Sequence, residues 1–123
     1  MQSARNTSGL DDLRGKTIDR ADSSLTLLVI RFDDGSGLLL EAVGDATDPE
    51  ISWAVKPAHL LPEAKDAVCA VDWGWIAGAK IEQVSGSKGS VRFQLDPAGP
   101  LTVSALVWQG APFLAFQPFK QPR

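Results

Sequence analysis

One cysteine, one histidine, one methionine and no tyrosine stand in a chain of 123 residues. A single cysteine permits no internal disulfide and no Cys-x-x-Cys metal or redox site. A single histidine leaves no His pair for zinc within one chain and removes most His-relay chemistry. Clusters of positive charge are missing too. The 12 Lys and Arg are scattered through a chain of net charge −3, whereas a nucleic-acid binder needs a basic stripe to displace counterions from phosphates. Only one uncharged stretch, Pro97–Phe119, is long enough to consider as a membrane span. Pro100, Gly110, Pro112 and Pro118 interrupt it, and Gln109 and Gln117 are polar, so no spanning helix is expected. Met1–Gly9 has no apolar h-region, and no secretory signal is expected. These absences predict a cytoplasmic protein without cofactor or metal, and without a membrane or nucleic-acid partner.

What is present is enough to build a core. Apolar residues make up 44% and charged residues 22% of the 13.1 kDa chain. One domain, 1–123, is expected to fold without disulfides, with 1–8 flexible. Cys69 sits in the apolar run Ala67–Val71, as a buried thiol would. The period of the pattern is mostly two, which argues strands. Leu28, Ile30 and Phe32 alternate with Val29 and Arg31, while Val91, Phe93 and Leu95 alternate with Arg92 and Gln94. Turn signals separate the runs at Asp33–Gly37, Ser85–Gly89 and Asp96–Pro100. Strands are predicted near 16–21, 25–33, 38–43, 51–56, 67–72, 79–84, 90–96, 101–108 and 113–117. Two short helical pieces are predicted, one capped by Ser8 and stopped by Gly15, the other within Pro57–Lys65.

Sliding the chain along itself by 63 residues aligns 13–57 with 76–120 without a gap. Gly15/Gly78, Ile18/Ile81, Ser24/Ser87, Asp33/Asp96, Leu38/Leu101, Ala42/Ala105 and Pro49/Pro112 are identical, against about three matches expected from composition. Apolar positions fall in register as well, such as Leu28 with Val91 and Trp53 with Phe116. The expected fold is all-β, or a β-dominated α+β. Two related antiparallel four-stranded units, bridged by 58–75, form a small barrel or sandwich with one or two short helices. The pattern Gly15-x-x-Ile18, a strand, then Phe32-Asp33-Asp34-Gly35 resembles short bacterial proteins built from β-meanders. That resemblance covers 15–35 and implies no activity.

The alignment also separates the halves. Outward positions of the second unit read Lys88, Ser90, Arg92, Gln94, Thr102 and Ser104; their partners in the first read Leu25, Leu27, Val29, Arg31, Leu39 and Glu41. An apolar outer face needs a cover. Leu10 and Leu13, or Leu60 and Leu61, supply it from within the chain; a partner, most simply a second copy, supplies it from outside. Three functions follow in order. The first is a non-enzymatic interaction protein that self-associates, as a homodimer, or binds a protein partner through Leu25, Leu27, Val29 and Leu39. The alternative is a small-ligand or carbohydrate binder in which Trp73 and Trp75, two apart on an extended backbone, form a platform beside Asp72; the competing reading seals these indoles in the core. The third is an enzyme using carboxylates, for which no motif marks a catalytic residue.

Weaker constellations complete the reading. Asp45, Asp48 and Glu50 offer three carboxylates without EF-hand spacing, and turn chemistry explains them as well as calcium does. His59 has no accompanying nucleophile motif. Ser85–Gly89 lacks the P-loop pattern and reads as a hairpin turn. Pro118 predicts that 113–117 is an edge strand. Phe113 and Phe119 are then candidates for a second contact surface, against the simpler reading that they pack on their own domain.

Overall fold

A computed structural model describes residues 10–64 and 71–118. Eight strands form two four-stranded antiparallel sheets in simple meander order. The first sheet holds β1 (Ile18–Ser23), β2 (Leu27–Phe32), β3 (Ser36–Asp45) and β4 (Asp48–Pro57). The second holds β5 (Lys80–Gly86), β6 (Ser90–Asp96), β7 (Gly99–Trp108) and β8 (Ala111–Gln117). The sheets do not close into a barrel. They pack as a sandwich, with β3 and β4 facing β8 and β7, and the inward residues of the alternating strands fill the space between.

The same 63-residue offset relates the two sheets ladder by ladder. β1 and β2 pair Ile18 with Phe32, slip at a bulge, and resume at Arg20 with Arg31. β5 and β6 pair Ile81 with Leu95, slip at the same place, and resume at Gln83 with Gln94. The hairpins β3–β4 and β7–β8 also keep one register: Asp45 opposes Asp48 where Trp108 opposes Ala111. The sheets meet at an isolated antiparallel bridge between Thr17 and Lys80, two residues that are each other's equivalents, so an approximate two-fold axis passes through it. Around that axis Ile18 N–H donates to the Ala79 carbonyl at 2.8 Å and Ile81 N–H to that of Lys16 at 2.9 Å. Gly15 and Gly78 turn the chain into these contacts at φ 85°, a conformation that favours glycine.

At the opposite edges the symmetry recurs. Ile51 N–H of β4 donates to the Lys88 carbonyl, and Leu114 N–H of β8 to the Leu25 carbonyl, both at 2.9 Å. Each edge strand thus reaches across to the first hairpin turn of the other sheet. Because these donors point away from their own sheets, residues 49 and 112, two positions earlier, face the same way. Both are proline, which has no N–H to offer an incoming strand.

The two ends of the core are filled differently. Leu10, ahead of the 3-10 turn Asp11–Leu13, is equivalent to Trp73. A Cβ on Gly86 would lie 2.7 Å from Leu10 Cδ1 and 2.8 Å from Trp53 Cη2, so glycine is needed for these side chains to pack there. The equivalent of Gly86 is Ser23, whose hydroxyl accepts the Trp73 indole N–H at 2.8 Å. Trp73 meets Phe116 edge to face, 4.9 Å between centroids.

Three expected elements differ. Of the strand expected at 67–72, residues 67–70 lie outside the described residues, and 71–72 are not in a strand; 74–78 form a turn. The first helical piece is the 3-10 turn Asp11–Leu13, its expected cap Ser8 lying outside the described residues. The second is the single turn Ala58–Leu60, after which Leu61 is extended at ψ 145° because it precedes Pro62.

Candidate functional site

The apolar outer face of the first sheet is covered by its own chain. Beyond β4 the segment turns back, Ala58 N–H donating to the Gly35 carbonyl at 2.8 Å, and places Leu61 and Ala64 over Val29. Gly37 makes the room, since a Cβ there would overlap the Leu61 side chain. Arg31 fastens the cover, with Nη2 donating to the Pro62 carbonyl at 3.4 Å and Nη1 paired with Asp22 at 3.5 Å. Val29 is fully buried, and Leu27 and Leu39 pack against the same cluster. Leu25 lies in the β1–β2 turn with its carbonyl bonded to Leu114, not on the sheet face. The four positions expected to meet a partner therefore do not form one open surface. Burying the valine under Leu61 removes apolar area from water inside the chain, an effect of about 1.5–3 kcal/mol for such a side chain.

The tryptophan platform does not form either. The backbone around Gly74 turns, so the two-residue alternation does not apply. Trp73 is 5% exposed and its N–H is taken by Ser23, so it is packed into the core and does not stand out as a platform. Trp75 is half-buried against the core, and Asp72 accepts the Gly74 N–H at 2.9 Å as a local turn bond.

The acidic turns are occupied by turn chemistry. Asp45 Oδ1 accepts the Thr47 hydroxyl at 2.7 Å, the Thr47 N–H at 2.9 Å and the Asp48 N–H at 3.0 Å. These bonds hold the Asp45 carboxyl below its ordinary range, the Thr47 hydroxyl first. Asp48 pairs instead with Lys88 at 2.7 Å, which raises the lysine. Asp34 binds Lys16 and the Ser36 hydroxyl and N–H, and the lysine bond, the largest cause, holds it far below the carboxylate range. Among the described residues no three His, Cys, Asp or Glu group to hold a metal, and no helix is long and apolar enough to cross a membrane. His59 is exposed on the Ala58–Leu60 turn; Cys69 and Phe119 lie outside the described residues.

No family model matches the chain, and neither a curated protein nor a solved structure matches it. The site is therefore built from geometry, and the two hairpin tips provide it. The β3–β4 tip presents Val43, Asp45, Asp48 and Glu50. The β7–β8 tip presents Leu106, Val107, Trp108 and Phe113 at the equivalent or adjacent positions. Leu106 is 47%, Val107 39% and Trp108 46% exposed. Trp108 rests edge to face on Phe113 at 6.5 Å, and Leu106 opposes Phe113 across the strands. The turn between them, Gln109–Gly110, has φ 53° and 80°, the sense that continues the twist of a hairpin tightly. The paired strands thus hold large apolar side chains in water, where soluble proteins leave such groups only singly. Phe113 is visible in the sequence as a contact candidate; Leu106 and Trp108 continue the outward alternation of Thr102 and Ser104 to the end of the strand.

Proposed function

We propose that this protein is a non-enzymatic assembly module that self-associates as a two-fold dimer through the β7–β8 tip. The observation that carries the reading is exposed Leu106 and Trp108 packed with half-buried Phe113 on a tip whose counterpart in the first sheet is acidic. Tryptophan and other aromatics supply most of the energy of compact interfaces. A second copy is favoured as partner because residues 97–118 hold no charged residue. A two-fold contact sets each group near its own copy, so like charges would oppose one another. The acidic β3–β4 tip would suffer that repulsion and the neutral tip does not.

Light scattering over a dilution series tests this. A mass of twice 13.1 kDa that falls to the monomer with Trp108→Lys, the circular dichroism unchanged, is the expected result. A monomer at every concentration, or a dimer indifferent to Trp108→Lys and Phe113→Lys, overturns it.

A further inference from the structure

The fold contains one groove twice. On the first sheet it lies between the Arg20–Asp22 edge and the turn Asp72–Ala77. On the second it lies between Gln83–Ser85 with Arg92 and Gln94 and the turn Asp11–Arg14, with a volume of about 530 Å³. The positions correspond through the 63-residue offset: Gln83 to Arg20, Ser85 to Asp22, and Arg14 to Ala77. The chemistry is inverted. The first groove is lined by one guanidinium and two carboxylates. The second is lined by two guanidiniums, Arg14 and Arg92, against the single carboxylate of Asp11, with the amides of Gln83 and Gln94 and the hydroxyl of Ser85 around them.

The first sheet shows what a guanidinium on this outer face takes. Arg31 holds the carboxylate of Asp22 and the peptide carbonyl of Pro62. On the second sheet the position of Asp22 is Ser85, so that carboxylate is missing, and among the described residues neither Arg14 nor Arg92 has an ion pair. We propose that the β5–β6 groove is a carboxylate-binding site, filled by an acidic peptide segment laid across Arg14 and Arg92. Guanidiniums match planar carboxylates with paired N–H donors, and the amides and hydroxyl are there to meet peptide carbonyls. A free polycarboxylate shares the chemistry and is the other source to be distinguished. This goes beyond self-association, because the groove lies on β5 and β6 and uses no residue of the β7–β8 tip.

The test is titration of the ¹⁵N-labelled protein at low salt with the blocked peptide acetyl-Glu-Ala-Glu-Ala-Glu-amide, with its all-Gln counterpart, and with citrate. The Glu peptide is expected to move the amides of Gln83, Ser85, Arg92 and Gln94, and the Gln peptide to leave them still. Arg14→Gln with Arg92→Gln should weaken the Glu peptide by about tenfold or more. Raising the salt to about 0.5 M should reverse the shifts in the unmutated protein, which keeps the test valid if the double variant fails to fold. Citrate moving the same amides with the same arginine and salt dependence while the peptide does not would assign the site to a free polycarboxylate and overturn the peptide. No shift with either probe, or shifts that survive both arginine changes, overturns the site. These readouts do not involve Trp108, so they stand or fall apart from the solution mass.

Discussion

Val29 and Arg92 occupy the same place in two sheets whose ladders share one register. One is sealed under Leu61 and Ala64 and the other is exposed to solvent. The strands themselves are equivalent; what differs is whether a segment lies over them. After β4 the chain doubles back across its own sheet, and every outward position beneath it changes character to suit. Gly37 leaves a gap, Leu39 and Leu27 pack against the segment, and Arg31 turns to hold the Pro62 carbonyl. On the second sheet the corresponding positions, Pro100, Thr102, Ser90 and Gln94, are exposed or half-buried. The outer-face composition of a β-unit therefore reports its cover, and the inner face reports the fold.

Exchanging the two residues should give the largest effect. Val29→Arg places an unpaired charge beneath Leu61 and Ala64, or expels that segment, and should cost about 3–5 kcal/mol in urea unfolding. Arg92→Val should stay within about 0.5 kcal/mol, as exposed sites do. Equal losses at the two positions would mean that the sheets are covered alike. Leu61→Ala is next, at about 2–3 kcal/mol, by opening a cavity over Val29 and Gly37. It should also raise binding of an apolar dye, since the face it uncovers is leucine and valine.

The interior offers a second comparison on a smaller scale. Ser23 and Gly86 are equivalents, one accepting the Trp73 N–H and the other leaving room for Leu10 and Trp53. Ser23→Ala strands the indole N–H inside the core and should cost about 1–3 kcal/mol. Gly86→Ala forces Leu10 and Trp53 apart and should cost a similar amount through overpacking. A silent Ser23→Ala would show that the indole is satisfied by water, which an altered Trp73 N–H chemical shift would report.

Much of this is legible in the amino-acid sequence. Alternation and turn signals located the eight strands, together with a ninth at 67–72 whose described residues 71–72 are not in a strand, and the offset of 63 predicted matching turns. Three things were not legible, each for a physical reason. Leu27, Val29 and Leu39 announced a cover, and Leu61 stood among the candidates beside Leu10, Leu13 and a partner; the choice between them depends on a void at Gly37 that a glycine in a strand does not advertise. Trp73 and Trp75 read as a parallel pair only if the backbone is extended, and a turn around Gly74 sends Trp73 inward. At the candidate site, Phe113 stood out in the sequence; Leu106 and Trp108 continue the outward alternation of Thr102 and Ser104, but whether a segment covers them is a tertiary property that no local pattern states.

Charge supplies the smallest differences. Asp34 and Asp45 both have lowered folded-state values against an unfolded value of 3.8. A carboxylate shifted down stabilises above its unfolded value, and that contribution is lost as pH falls through the folded value. Acid titration should therefore weaken the protein below about pH 4, with Asp34→Asn removing part of the slope. At alkaline pH the sign reverses for Lys88, which is raised from 10.5 by Asp48: its contribution is complete below that value and disappears as pH rises through the higher folded one.

Lys88 and its equivalent Leu25 give the last test, because their side chains differ entirely while their carbonyls do the same work. Each carbonyl accepts the N–H of an edge strand at 2.9 Å, from Ile51 and from Leu114. If the main chain carries the link between sheets, Lys88→Leu should leave the unfolding midpoint where it was at neutral pH, since the Lys88–Asp48 pair is exposed on both sides and screened. Only the alkaline arm of the pH profile should flatten. Protection of the Ile51 amide from hydrogen exchange should be unchanged, and should match that of Leu114. A variant that loses protection at Ile51 while keeping it at Leu114 would show that the lysine side chain, and not the shared backbone geometry, fastens that edge.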